Sequence, residues 1–113
     1  MPILDIALES ESVYRQMTRL KGLDWVTTYF SRLLNDINNR LLMFYVENYP
    51  AAFVIIRIEP EKWFIHELAI RLKYRHRGIV QQVKETARED GIKTIQWERK
   101  HIRDDRKTLR IGG

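Results

Sequence analysis

The 113-residue chain contains no cysteine. That excludes disulfides and thiolate metal sites and is compatible with a reducing compartment. Proline occurs three times and glycine five, and no repeat, linker or low-complexity tract is present. Apolar runs are short, such as AAFVII at 51–56, whereas a membrane-spanning helix needs about 18 apolar residues, so no membrane partner is expected. The N-terminus MPILDIALESE has neither a basic start nor a long apolar segment, so no signal peptide is expected. Neither a G-x-x-x-x-G-K-[ST] loop nor a G-x-G-x-x-G fingerprint occurs. His66, His76 and His101 stand at no metal-ligand spacing, so no metal is expected. No serine or threonine sits in a recognisable nucleophile arrangement.

What is present is the composition of a folded domain: 44% hydrophobic and 11% aromatic residues. The length predicts one domain over 1–113, with 1–9 as an N-terminal segment and 99–113 as a basic tail. The formal charge of +5 is unevenly placed. Residues 71–77 and 99–113 each carry a net +4, which leaves −3 for the rest. Anions are the natural partners of such local fields. The tail, with Trp97 before it, offers a nucleic-acid surface; a solvated or partner-docking extension is the plainer reading.

Periodicity gives the elements. Ser10 opens a helix to Lys21 with Val13, Met17 and Leu20 on one face, and Gly22 ends it. Asp24 reads as the N-cap of a second helix, in which Trp25, Val26, Tyr29, Phe30, Leu33, Leu34 and Ile37 form a broad apolar face, read as core. Three strands follow, LLMFYVEN, AAFVIIRIE and KWFIHELAIRL, with turns at NYP and EPEK; the short connections predict an antiparallel meander. After Tyr74 the period becomes helical, with Ile79, Val80, Val83 and Ala87 on one face and Gly91 as the stop. IKTIQWE then reads as a strand parallel to the third, completing a right-handed βαβ unit. The order α-α-β-β-β-α-β predicts a mixed sheet with helices against it, in the α/β to α+β range.

The junction of third strand and third helix carries the chemistry. A helix N-terminus leaves backbone N–H groups without partners at the positive end of its dipole. Gly78 permits a tight turn and close approach of a ligand, and Arg75 and Arg77 add full charges. These parts suit a pyrophosphate.

The segment FIHELAIRLKYRHRGIVQQVKETAREDGIKTIQW resembles the central motif of the Gcn5-related N-acetyltransferases, the GNAT superfamily. There an apolar-x-apolar strand end leads into a [QR]-x-x-G-x-[GA] turn, a helix ending in glycine, and a further strand. Here the turn is Arg75-His76-Arg77-Gly78-Ile79-Val80, and the likeness of order extends over about residues 10–98. The resemblance implies a GNAT-like fold and an N-acetyltransferase using acetyl-coenzyme A as co-substrate and an amine as acceptor. It places the pyrophosphate on the backbone near Arg75, Arg77, Gly78, Ile79 and Val80, and the pantetheine arm along Leu68 to Arg71, which includes Ile70. Glu67 is then the candidate general base, with a solvent-facing ion pair as its plainer reading. His66 is expected on the opposite face and half-buried.

The chain departs from the pattern at Val80, where the family prefers Gly or Ala, and it ends where the family supplies a further helix and closing strands. No tyrosine follows Tyr74. A second expectation follows from these departures: a catalytically inactive GNAT-like structural or partner-binding module, such as a bacteriophage accessory or virion-assembly protein. The expected location is the cytoplasm, or the host cytoplasm or virion for a phage-encoded chain. An incomplete sheet also predicts self-association, or docking onto a larger protein, through an exposed edge at Thr94 to Glu98.

Overall fold

The computed structural model describes residues 2–10, 19–98 and 106–110. Helix α1 spans Pro2–Glu9, where the sequence pattern had given only an N-terminal segment. Ile3, Ile6 and Ala7 recur at helical spacing and are buried. Eight residues are too few to hold a helix alone, so packing against the sheet stabilises it. Ser10 follows this helix, and its hydroxyl donates to the Ala7 carbonyl at 2.7 Å. The rest of the helix expected from Ser10 lies largely outside the described residues, of which 19–21 are helical.

Helix α2 spans Leu23–Asn35. Gly22, at φ +91°, holds the cap position expected for Asp24; Asp24 lies in the first turn, where its charge favours the helix dipole. Val26 and Phe30 are buried, whereas Ile37 lies beyond the helix and is 89% exposed. The Asn39 side-chain amide donates to the Leu33 carbonyl at 2.8 Å and closes the C-terminal end.

Strands β1 (Asn39–Val46), β2 (Tyr49–Glu59) and β3 (Lys62–Ile70) form the antiparallel meander. The first turn is Glu47–Asn48, not the expected Asn48–Pro50. Both turn residues have positive φ, the conformation a two-residue hairpin favours, so Tyr49 and Pro50 already belong to β2. A single 3₁₀ turn, Leu72–Tyr74, leads to helix α3 (Ile79–Glu89). Gly91, at φ +76°, stops it: the Ile92 amide bonds the Ala87 carbonyl and the Gly91 amide that of Arg88. Val80 is 51% exposed, so the buried stripe is Ile79, Val83 and Ala87 without it.

Strand β4 (Thr94–Glu98) lies parallel to β3, and β5 (Arg106–Arg110) lies antiparallel to β4. The basic tail is therefore in part a strand, and the edge expected at Thr94 to Glu98 is covered by it. The remaining tail residues, on which the nucleic-acid expectation mostly rests, lie outside the described residues. The sheet order is β1-β2-β3-β4-β5. Helices α1 and α2 pack on one face over Phe53, Ile55 and Ala69, and α3 packs on the other over Val54, Ile56, Trp63 and Ile95. Covered on both faces, β2 buries Ala51 to Ile56 without a break, as a central strand should. This is the mixed α+β architecture the element order predicts.

Candidate functional site

The site begins with an irregularity in β3. Ile55 pairs with Glu67 and Ile56 with Ile65, so one residue of β2 is passed by two of β3, and His66 is the extra one. A bulge of this kind shifts the alternation of side chains. Before it, Trp63 and Ile65 face α3; after it, Leu68 and Ile70 do. On the other face, Phe64 pairs with Arg57, whose guanidinium lies over its ring at 5.1 Å, and the His66 ring meets the Phe64 ring edge-on at 5.2 Å. Glu67 pairs with Ile55 on that same face. His66 and Glu67 therefore share one side of the sheet. Regular alternation had placed them on opposite sides, and the bulge overturns it.

Glu67 is buried, at 6% exposure. The Tyr29 hydroxyl of α2 donates to its Oε1. The Tyr29 ring is fixed by parallel stacking on Trp25 (5.7 Å) and a tilted contact with Phe30 (5.5 Å). Burial raises the Tyr29 phenol above its ordinary range, and the hydrogen bond to Glu67 and that group's negative charge raise it further. Tyr29 carries no sequence signal of this role, because with Val26 and Phe30 it reads as helix core. The one trace of it is that Trp25 and Tyr29 are offset by one residue from the buried pair. An open groove of about 370 Å³ runs beside Tyr29, lined by Asp24, Trp25, Thr28, Tyr29 and Arg32.

The second part is a fork. Strands β3 and β4 pair from Lys62↔Thr94 to Ile65↔Trp97, and there the pairing stops. β3 runs on to Ile70, and among the described residues no residue of β4 pairs with Leu68, Ala69 or Ile70. The side chains of Leu68 and Ile70 pack into the α3 core, so what they present at the fork is backbone.

The third part is the turn into α3. The Tyr74, Arg75 and Arg77 amides are taken by the carbonyls of Arg71, Leu72 and Tyr74. Gly78 is left-handed, at φ +80° and ψ +19°, and its carbonyl accepts the first helical bond from Gln82. The Gly78, Ile79, Val80 and Gln81 amides precede that bond, at the positive end of the dipole. A Cβ built on Gly78 meets nothing within 4 Å, so the space above it is open. Arg75, His76 and Arg77 are exposed. Arg77 stands 3.6 Å from Glu47, an exposed pair that holds it weakly.

Arg71 does not belong to this cradle, although it is one of the four charges of the 71–77 stretch. Its side chain is 7% exposed; Nε donates to the Pro50 carbonyl at 2.8 Å, an NH group pairs with Glu9, and the guanidinium lies over Tyr49. It ties α1 to the sheet. Among the described residues, no cluster of three or more His, Asp or Glu could hold a metal, and no helix is long and apolar enough to cross a membrane.

A strand fork, a bulged strand with a buried carboxylate and a glycine-led helix N-terminus thus follow one another along β3 and into α3. The family model "Acetyltransferase (GNAT) family" matches residues 6–108. The chain belongs to that family. Among solved structures it is similar to the PaiA N-acetyltransferase from Thermoplasma acidophilum in complex with coenzyme A (TM-score 0.55, 15% identity, 90% of this chain and 72% of that one). It is also similar to Tetrahymena Gcn5 (0.56, 13%, 88% and 59%). A third likeness is to an aminoglycoside 6′-N-acetyltransferase complexed with coenzyme A (0.54, 15%, 84% and 52%). The chain thus spans between about half and three quarters of their lengths. No curated protein matches the sequence.

Proposed function

We propose that the chain is an N-acetyltransferase that binds acetyl-coenzyme A in the fork between β3 and β4 and passes the acetyl group to an amine. The observation that carries this reading is the fork itself. Parallel pairing ends at Ile65 and Trp97, beside the His66 bulge, and among the described residues none pairs with Leu68 to Ile70 on the β4 side. The turn at Gly78 then follows at the end of the same strand. Two of the similar structures are coenzyme A complexes, which supports the reading.

The residues present fit such a ligand. The Gly78 to Gln81 amides and the exposed Arg75 and Arg77 suit a pyrophosphate, with open space above Gly78. The backbone edge of Leu68 and Ile70 suits an extended chain bearing amides. Acetyl-coenzyme A supplies a thioester that an amine can attack. Glu67, on the bulge, takes the proton from the incoming ammonium, and Tyr29 holds its carboxylate by Oε1. The groove beside Trp25 and Tyr29, lined by the tyrosine that holds Glu67, is on this reading the acceptor's approach.

Calorimetric titration of acetyl-coenzyme A tests the reading. Saturable binding is expected, weakened at least ten-fold by Arg75→Glu with Arg77→Glu. No heat at millimolar ligand sinks it. Saturable binding with no acetyl transfer to any of a panel of primary amines favours instead the module that keeps the cradle without the chemistry.

A further inference from the structure

We propose that β1 is a self-pairing edge, and that two copies of this chain join antiparallel through it about a two-fold axis at Met43. The inference is independent of the acetyl-transfer reading. Among the described residues the outermost strands of the sheet are β1 and β5. Edge strands present unpaired backbone groups and are usually guarded by charge, proline or a bulge. β5 reads RKTLR, three basic residues in five, so a second β5 beside it would bring like charges together. Within β1 the one charge is Arg40, at its N-terminal end. From Leu41 to Val46 it carries no charge, no proline and no glycine. The irregularity at Phe44 and Tyr45 places its extra residue, Ala51, on β2, so β1 itself runs regular.

The strand is also complementary to itself. A two-fold axis perpendicular to the sheet keeps each face on its own side, so cross-strand partners must come from the same face. Met43 packs on the α1 and α2 face and shares it with Leu41 and Tyr45; Leu42, Phe44 and Val46 share the α3 face. Centred on Met43, the register sets Leu41 opposite Tyr45 of the second copy, and Leu42 opposite Phe44. Leu41 and Tyr45 are the two large apolar side chains that β1 leaves exposed, at 37% and 52%. This register covers both of them twice. At each end the register sets Arg40 opposite Val46 of the second copy, and Asn39 opposite Glu47. Centring on Phe44 would instead set Leu41 against the charge of Glu47. A two-fold contact through one edge closes on itself, so it joins two copies.

Light scattering and sedimentation test this on the full chain. The wild type is expected to rise from 13.6 kDa toward twice that mass with concentration. Amide exchange along Leu41 to Val46 should slow in parallel. Leu41→Lys with Tyr45→Lys puts lysine opposite lysine, and Leu41→Glu with Tyr45→Glu puts glutamate opposite glutamate. Both side chains are exposed, so each double variant should keep the wild-type circular dichroism and lose the dimer. Their equimolar mixture should recover it, because lysine then faces glutamate at every such pair. A wild type that stays at 13.6 kDa through the millimolar range overturns the proposal and leaves the edge to a different protein. A dimer that both double variants retain, or folded variants whose mixture stays monomeric, overturns it as well.

Discussion

Glu67 and Tyr29 show what one residue can decide. A buried carboxylate is costly unless hydrogen bonds reach it, and the Tyr29 hydroxyl supplies one. Tyr29→Phe removes that donor and keeps the ring, its stacking on Trp25 and its contact with Phe30. With thiol release from acetyl-coenzyme A as the assay, kcat is expected to fall by about ten-fold or more, since a hydrogen bond to a charged group is worth about 1.5–3 kcal/mol. KM for acetyl-coenzyme A should stay unchanged, because Tyr29 lies outside the cradle. The same substitution has a pH signature. The Tyr29 phenol is raised in the folded chain, so its contribution to stability is complete below the unfolded tyrosine value of about 10 and is lost as pH rises beyond it. Denaturant midpoints should therefore fall more steeply above that pH in the wild type than in Tyr29→Phe. Equal slopes would mean that Tyr29 is not buried against Glu67. Glu67 was legible as a candidate from the strand and the family motif. Its neighbours were not, because a one-residue bulge leaves no trace in the alternation of HELAI.

At the scale of elements, two glycines bracket α3 and differ in purpose. Gly78 and Gly91 are both left-handed, at φ +80° and +76°, and a Cβ on either meets no atom within 4 Å. Alanine at either position thus costs backbone strain and nothing in packing, about 1 kcal/mol. For a domain near this size that is about 4–8 °C in melting temperature. Gly91→Ala should lower the melting temperature and leave coenzyme A affinity alone. Gly78→Ala should lower the melting temperature as much and also weaken binding, because the new methyl group and the strained turn disturb the amides of the cradle. Calorimetry and thermal melts on the two variants separate stability from binding, and equal affinity in both would remove Gly78 from the site. Both glycines, and the helix between them, were readable from period and punctuation. Helix α1 was not assigned: its burial stripe is only Ile3, Ile6 and Ala7, and it forms because Arg71, Glu9 and the sheet hold it. Arg71 misled for the same reason, since a charge count cannot tell an arginine that binds an anion from one that ties two elements together.

The whole molecule depends on how its sheet ends. Turn chemistry and the switch of period made the meander and the parallel crossover legible, but β5 was hidden because RKTLR reads as a polar tail until β4 offers it a partner. Charge then does two jobs at this edge: residues 99–113 supply +4 of the chain's +5, and three of those positives lie in the edge strand itself. Deleting 99–113 should act through both. The backbone of Thr94 to Glu98 loses its antiparallel partner, and the net charge drops to +1, so repulsion between copies nearly vanishes. The truncated chain would carry two edges open to pairing, β1 and β4. Two-fold pairing at one edge closes on itself, whereas edges at both sides of a sheet allow open-ended growth. The expected result is a lower melting temperature together with light scattering that climbs past the dimer with concentration. Lysines at 41 and 45 should cut that growth back to a species paired through β4 alone. A truncated chain with the melting temperature and mass of the full one would show that β5 contributes nothing to the fold and guards nothing at its edge.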